Sequence, residues 1–266
     1  MIGAHIDGGR FTITQAIWDD PPAGRYEGVE TATGQRVLVT TGTRLTVDAE
    51  ELAAALRLDC PGVSRLRYVG TIATGFGTFA ACVEDHPAGA PLTVGMGDTA
   101  PKAAAELGAG LAAIVGEAHA RGLVLGGISP HFVYGDYREL PATYAIAPRC
   151  LPFLRACAPR SSGLPFPIDY VCDAPEALAV LPTTTASDVF SLALTIAWLV
   201  YKLEGKPPVD GDVMVQMRSI VMGEVPTVAW PLATALTPAL ARSPGQRPTI
   251  GALRITLADL ASRLPR

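Results

Sequence analysis

The sequence lacks the features that mark several classes of protein. Only 17% of its 266 residues are charged, and the formal net charge is −4, so it has no basic surface for nucleic acid. The N-terminus shows no secretory signal pattern. The longest apolar run, at residues 189–201, is shorter than the ~20 residues that span a bilayer. We therefore predict no nucleic-acid binding, no membrane insertion and a cytoplasmic location.

Cysteine and histidine are also sparse. The chain has five cysteines and four histidines, no two cysteines form a CxxC pair, and no two histidines stand at i, i+4 on a plausible helix. Zinc sites need such spacings, so we predict no zinc site. Isolated thiols are ordinary in a reduced, intracellular protein.

What the chain does have is a change of pattern near residue 89. Before it, apolar alternation and glycine-containing turns predict strands, with a turn at residues 31–34. After it, apolar residues recur at helical spacing, over residues 102–121 and again from residue 187 to the end. The expected class is α+β, with a small β-rich lobe at residues 1–88 and a larger, mainly helical lobe at residues 89–266.

Four motifs follow one another along the second part of the chain. They are A-H-A-R-G-L-V at 118–124, A-P-E at 174–176, S-D-V-F-S-L-A at 187–193 and S-P-G-Q-R-P-T at 243–249. In this order and spacing they resemble motifs of bacterial protein kinases of the eukaryotic type.

The resemblance has consequences for the fold and for three residues. It implies a bilobal protein kinase-like fold whose two lobes form one domain. It also implies structural roles, in which Glu176 pairs with Arg247 and Asp188 accepts hydrogen bonds from the backbone of the catalytic loop.

The residues with which kinases bind ATP and magnesium are missing at the matching positions. Thr40 stands where the family has its phosphate-contacting lysine, and no lysine occurs in residues 1–101. Arg36 and Arg44 are the only nearby cations that we considered as substitutes. The catalytic loop matches L-G-G-I-S-P-H-F at 125–132, which puts Gly127 at the catalytic aspartate and Phe132 at the magnesium-binding asparagine.

Two longer stretches also lack the residues with which kinases bind phosphate and metal. Where kinases have a glycine-rich phosphate loop, residues 18–24 read W-D-D-P-P-A-G, and proline has no N–H group to offer a phosphate. Residues 140–168 contain no Asp or Glu, so the family's metal-binding aspartate is absent. Because phosphoryl transfer depends on positioning and charge compensation, we predict that the chain is not an enzyme and that it binds no metal ion and no cofactor.

The selective loss predicts a pseudokinase that acts as a protein-binding scaffold or allosteric regulator of one or more partner proteins. The proline-rich segment at residues 150–168 is the candidate partner-binding surface, because it has several apolar side chains that either pack locally or dock a partner. These include Phe153, Leu154, Leu164 and Phe166. Two alternatives remain open: a nucleotide-binding sensor without phosphoryl transfer, and an enzyme with non-standard transfer chemistry.

Overall fold

The structure is a computed structural model. It describes residues 1–20, 23–42, 56, 59–75, 77–92, 100–130, 132–135, 144–146, 172–179, 181–203 and 231–265. The described residues fall into two compact units that divide between Pro87 and Ala88. Among the described helices, none combines the length and the apolar character that crossing a membrane requires.

The first unit is built on a six-stranded antiparallel sheet. Its strands are β1 (His5–Ile6), β2 (Phe11–Asp20), β3 (Ala23–Glu30), β4 (Arg36–Gly42), β5 (Leu66–Thr74) and β6 (Gly77–Asp85), in the order β1-β2-β3-β4-β6-β5. Strand β1 also lies against β5, so the sheet nearly closes into a barrel. The predicted turn at residues 31–34 is confirmed between β3 and β4. Its Gly34 has a φ of 71°, a left-handed conformation that glycine adopts without steric cost.

Both faces of this sheet are buried along its central strands. One face carries the apolar core, which consists of Ile6, Phe11, Ile13, Tyr26, Val37, Val39, Ile72, Ala81 and Val83. Because side chains alternate along a strand, Leu38 and Thr40 of β4 lie on the opposite face, as do Cys82 and Glu84 of β6. Leu38, Cys82 and Glu84 are at most 1% exposed. We call this opposite face the second face of the sheet.

The second unit combines helices with a small sheet. The helices are α1 (Pro101–Ala120), α2 (Pro175–Leu178), α3 (Thr185–Leu203), α4 (Ala233–Ala239) and α5 (Ile250–Arg263), and the strands are β7 (Ala90–Pro91), β8 (Val133–Gly135) and β9 (Tyr144–Ile146). Helix α1 packs against α5 and α3. The predicted helix at residues 102–121 is confirmed as α1, which begins at a proline and ends before Gly122, whose φ is 77°.

The predicted bilobal protein kinase-like fold, with its small β-rich lobe and larger mainly helical lobe, is wrong. The described residues instead form the nearly closed six-stranded antiparallel sheet, and only five α-helices accompany it. Strand β1 is one source of the error, because two residues are too few to show an alternation, and β1 brings the sheet round to β5. That residues 1–88 and 89–266 act as one domain stays a prediction.

Candidate functional site

Asp188 is a buried carboxylate near the start of α3, and three polar groups surround it. Its Oδ2 accepts a hydrogen bond from the Leu125 N–H at 2.8 Å, and its Oδ1 accepts one from the Gly126 N–H at 2.9 Å. His119 Nε2, in the last turn of α1, lies 2.9 Å from Oδ2. One carboxylate therefore holds the end of α1 and the chain that follows it. Sequence reasoning gave His119 no role, although the residue stands inside one of the four motifs.

The turn that follows α1 has a backbone conformation that favours glycine. Gly126 has a φ of 76° and Gly127 a φ of 143°, and both are buried. Helix α3 holds the turn at a further point, because the Thr195 hydroxyl donates a hydrogen bond to the Ile128 carbonyl at 2.7 Å. The position predicted for the catalytic aspartate is thus occupied by a glycine in an unusual conformation.

Phe132, at the position predicted for the magnesium-binding asparagine, is only 4% exposed. Its N–H donates to the Ser129 carbonyl at 2.9 Å. The hydroxyl of Ser129 is itself buried and has no hydrogen-bond partner within the described part of the chain. A phenyl ring offers no oxygen atom to a magnesium ion, which requires oxygen ligands.

The structure brings Glu176 and Arg247 together in a bidentate ion pair. Arg247 Nη1 donates to Glu176 Oε1 at 2.6 Å, and Nη2 donates to Oε2 at 2.8 Å. The guanidinium also lies 4.9 Å from the centre of the Phe190 ring. It donates further hydrogen bonds to three backbone carbonyls, those of Ala186, Ala241 and Arg242. Planar pairs of this kind are the strong form of a charged hydrogen bond, so this pair joins α2, the start of α3 and the segment before α5.

The pKa of Glu176 reflects this pairing. Burial raises the pKa of the carboxyl, but hydrogen bonds from Arg247 and from Ser187 outweigh burial, and the pKa lies below its ordinary value of 4.5. The Ser187 hydroxyl contributes at 2.7 Å from Oε1. Glu176 is therefore charged at neutral pH and is bound on both oxygens.

In the first unit, Thr40 lies on the second face of the sheet. It pairs in register with Arg25 of β3 on one side and with Cys82 of β6 on the other. Arg25 is 4% exposed, and its Nη2 donates to Glu84 Oε1 at 3.1 Å. The position of the missing lysine is thus next to a buried arginine that already has a carboxylate partner.

The Arg25–Glu84 pair is a feature that sequence reasoning missed. Of the two arginines considered there, Arg36 is exposed and bonds Glu27 at 3.0 Å, and Arg44 lies outside the described residues. The sequence carried a signal for the position of Arg25 but none for its pairing with Glu84. The predicted turn at residues 31–34 fixes the register of β3 against β4, and in that register Arg25 falls opposite Thr40.

The stretch predicted in place of a phosphate loop takes part in a hairpin. Residues 18–20 end β2 and residues 23–24 begin β3, with Asp19 opposite Gly24 and Asp20 opposite Ala23. These residues pair with each other through the backbone of the two strands. The candidate partner-binding residues lie outside the described residues, and they are Phe153, Leu154, Leu164 and Phe166.

Comparison with protein-family models and with curated protein sequences finds no match for the chain. The kinase resemblance therefore rests on the four motifs alone. The describable site residues form two groups. Thr40 lies beside Arg25 and Cys82 in the first unit, and the second unit holds Gly127, Phe132, Glu176, Asp188 and Arg247.

Proposed function

We propose that the chain is a catalytically inactive relative of protein kinases that binds one or more partner proteins, as a scaffold or as an allosteric regulator. The bilobal fold forms no part of this proposal, because the structure contradicts it. The proposal combines the motif resemblance with the chemistry of the residues at the matching positions.

The observation that carries the proposal is the conformation of Gly127. Its φ of 143° is a conformation in which a residue with a side chain is strained. Asp188 and Thr195 hold the turn on both sides of it. A catalytic aspartate at this position would need either a strained backbone or a different turn. The backbone conformation at Gly127 therefore supports the proposal that the chain has no general base at this position.

The surroundings of Thr40 support the same conclusion. A phosphate needs an available cation, and Thr40 supplies none. The nearest described cation across the register is Arg25, whose guanidinium binds Glu84. Arg25 is itself 4% exposed and is already hydrogen-bonded to Glu84, so it is not free to bind a phosphate. These contacts support neither the nucleotide-binding sensor nor the enzyme with non-standard chemistry.

Protein binding is the function that remains once chemistry is set aside. The second unit keeps two elaborate buried networks, around Asp188 and around Arg247, that order its helices. Such networks maintain a defined surface without taking part in a reaction. The apolar segment at residues 150–168 is the part of the sequence that we propose for a protein partner, because it combines several large apolar side chains in a proline-rich stretch.

The experiment is an affinity capture with three forms of the tagged chain, followed by mass spectrometry. They are the wild type, a quadruple alanine variant at Phe153, Leu154, Leu164 and Phe166, and a control variant, Ile255→Ala. Ile255 is a 64% exposed apolar side chain on α5. We expect at least one protein to be enriched by the wild type and the control and lost with the quadruple variant at an unchanged melting temperature. Equal capture by all three forms, or no enrichment over the tag alone, would contradict the proposal.

A further inference from the structure

The ion pair between Arg25 and Glu84 crosses a strand, because β4 lies between β3 and β6. Glu84 is 1% exposed and Arg25 is 4% exposed. The guanidinium reaches Oε1 of the carboxylate at 3.1 Å. The other oxygen, Oε2, is buried and has no hydrogen-bond partner within the described residues, and the same holds for Thr40 Oγ1 on the intervening strand. Only one of the two side-chain oxygens of Glu84 therefore has a hydrogen-bond partner among the described residues.

A buried carboxylate with one unbonded oxygen is destabilised in its charged form. Each buried acceptor without a partner costs about 1–3 kcal/mol, and the cost is higher when the group carries a charge. Two events relieve this cost: a water molecule that donates to Oε2, or a proton that neutralises the carboxyl. They differ in their dependence on pH, because only the second one changes the charge of Glu84.

Among the residues that the structure describes, few charged and titratable groups lie near Glu84. On the second face, β3 contributes Arg25 and Glu27, and β4 contributes Arg36. Strand β6 contributes Cys82 and, just after its end, His86. The residue of β5 that lies opposite Glu84 is Leu66, which carries no charge. Asp85 follows Glu84 on the core side and bonds Arg67 at 2.9 Å. Glu27 and Arg36 bond each other at 3.0 Å. Among the described residues, Arg25 is therefore the one cation that bonds Glu84.

Burial is the largest influence on the pKa of Glu84. It raises the pKa of the carboxyl, the charge of Arg25 lowers it, and Asp85 raises it further, with the result that the pKa moves from 4.5 to about 7. The geometry gives the reason that Arg25 does not prevail, since one hydrogen bond to one oxygen compensates only part of the desolvation.

We propose that protonation of Glu84 controls the ion pair between β3 and β6, and with it the stability of the six-stranded sheet. Below neutral pH Glu84 is a neutral carboxyl on β6. As the pH rises it loses its proton and forms the charged pair with Arg25 of β3. The proposal is independent of the proposed function, because it concerns the first unit whether or not the chain binds a partner.

The sign of the effect on stability follows from the direction of the shift. The folded carboxyl holds its proton more tightly than the unfolded one, whose pKa is 4.5. The resulting stabilisation is complete below pH 4.5 and is lost as the pH rises through about 7. The protein is therefore less stable when Glu84 is charged, and mild acid raises the contribution of Glu84 to the free energy of unfolding.

The direct test is a carbon-13 titration of the Glu84 side-chain carboxyl in the wild-type chain, with the resonance assigned through its own backbone. We expect a midpoint near 7. A midpoint in the ordinary range of glutamate would overturn the proposal and would indicate that a bound water satisfies Oε2 instead. Because no variant is needed, this measurement does not depend on whether a substituted chain folds.

A stability series provides the second test. Urea unfolding is measured between pH 5 and 8 for the wild type, for Glu84→Gln and for Glu117→Gln, whose exposed carboxylate bonds Arg121 within α1. A shift from 4.5 to about 7 predicts that the wild-type unfolding constant rises by roughly two orders of magnitude more than that of Glu84→Gln over this range. Glu117→Gln should follow the wild type. Equal dependence of the unfolding constant on pH for the wild type and Glu84→Gln would contradict the proposal.

Discussion

At the residue scale, the second unit depends on two carboxylates with different kinds of partner, of which Asp188 is buried and Glu176 is partly buried. Asp188 accepts hydrogen bonds from backbone N–H groups and lies beside a histidine, whereas Glu176 faces a full positive charge on Arg247. The guanidinium of Arg247 is entirely buried at the side-chain level, and Glu176 is 10% exposed. The pair is therefore costly to break from either side, since a lone charge would stay buried.

The first prediction concerns Glu176→Gln, which keeps the shape of the side chain and removes its charge. We expect the free energy of unfolding at pH 7 to fall by about 3–5 kcal/mol, because Arg247 then lacks its counter-charge. The measurement is urea unfolding. Glu117→Gln serves as control, because its exposed pair with Arg121 contributes at most about 0.5 kcal/mol. A loss for Glu176→Gln no larger than for the control would contradict this account.

The pH dependence of the same variant gives the second prediction. The pKa of Glu176 is lowered in the folded state, so its stabilisation is present above the ordinary value of 4.5 and is lost as the pH falls through the lowered value. This sign is opposite to that of Glu84. Below pH 4.5 we expect the wild type to lose stability faster than Glu176→Gln, as followed by urea unfolding. Parallel slopes for the two chains would show that the pair does not shift this pKa.

The third prediction concerns Gly127→Asp, which restores the family's catalytic aspartate. We expect no phosphoryl transfer from radiolabelled ATP. We also expect a loss of about 1–3 kcal/mol in stability, because φ is 143° at this position. The matched control is Gly245→Asp, since a Cβ at Gly245 meets no atom within 4 Å and its φ is not left-handed. Activity in Gly127→Asp, or equal stability of the two variants, would count against a backbone that excludes the aspartate.

At the element scale, helix α1 is the centre of the second unit, with α3 and α5 packed against it. Close approach requires a small residue at Gly108. A Cβ placed there would meet Ile196 Cδ1 at 2.6 Å and Leu257 Cδ1 at 3.1 Å. About two turns further along, a Cβ at Gly116 would meet only Ile250 Cγ2 at 3.7 Å, which is ordinary contact.

These two glycines give the fourth prediction, since the same substitution has opposite signs at the two positions. Gly108→Ala overpacks the contact with α3 and α5, and we expect a loss of about 1–3 kcal/mol. Gly116→Ala adds helix propensity without a clash, and we expect a gain of up to about 1 kcal/mol. Thermal unfolding of both variants checks the difference. Equal effects at the two positions would show that Gly108 is not a packing residue.

Element by element, the sequence predicted what local chemistry determines. The turn at residues 31–34 and helix α1 were predicted from glycine positions and from apolar spacing, and the structure has both. Strand β1 was missed because two residues carry no periodicity. The Arg25–Glu84 pair was missed because it joins residues 59 apart on strands that are not neighbours. Such a pair emerges only when the strand order is known.

At the scale of the whole molecule, motif order was a poor guide to architecture. Glu176, Asp188 and Arg247 occupy buried networks of the second unit, yet the fold that the motifs implied is wrong. Short motifs fix local contacts, whereas the fold class depends on how strands pair over long distances. Closure of the six-stranded sheet depends on β1 and on the β4–β6 pairing, and neither leaves a signal in a single motif.

The central claim, that the chain has no chemistry of the kinase kind, is most directly tested by thermal unfolding with ATP and Mg²⁺ or Mn²⁺, against ATP alone and an active kinase as positive control. A ligand at a hundred times its Kd adds about 2.7 kcal/mol, which for a chain of this size raises Tm by roughly 5–10 °C. We predict no metal-dependent change in Tm. A metal-dependent rise of several degrees would contradict the claim.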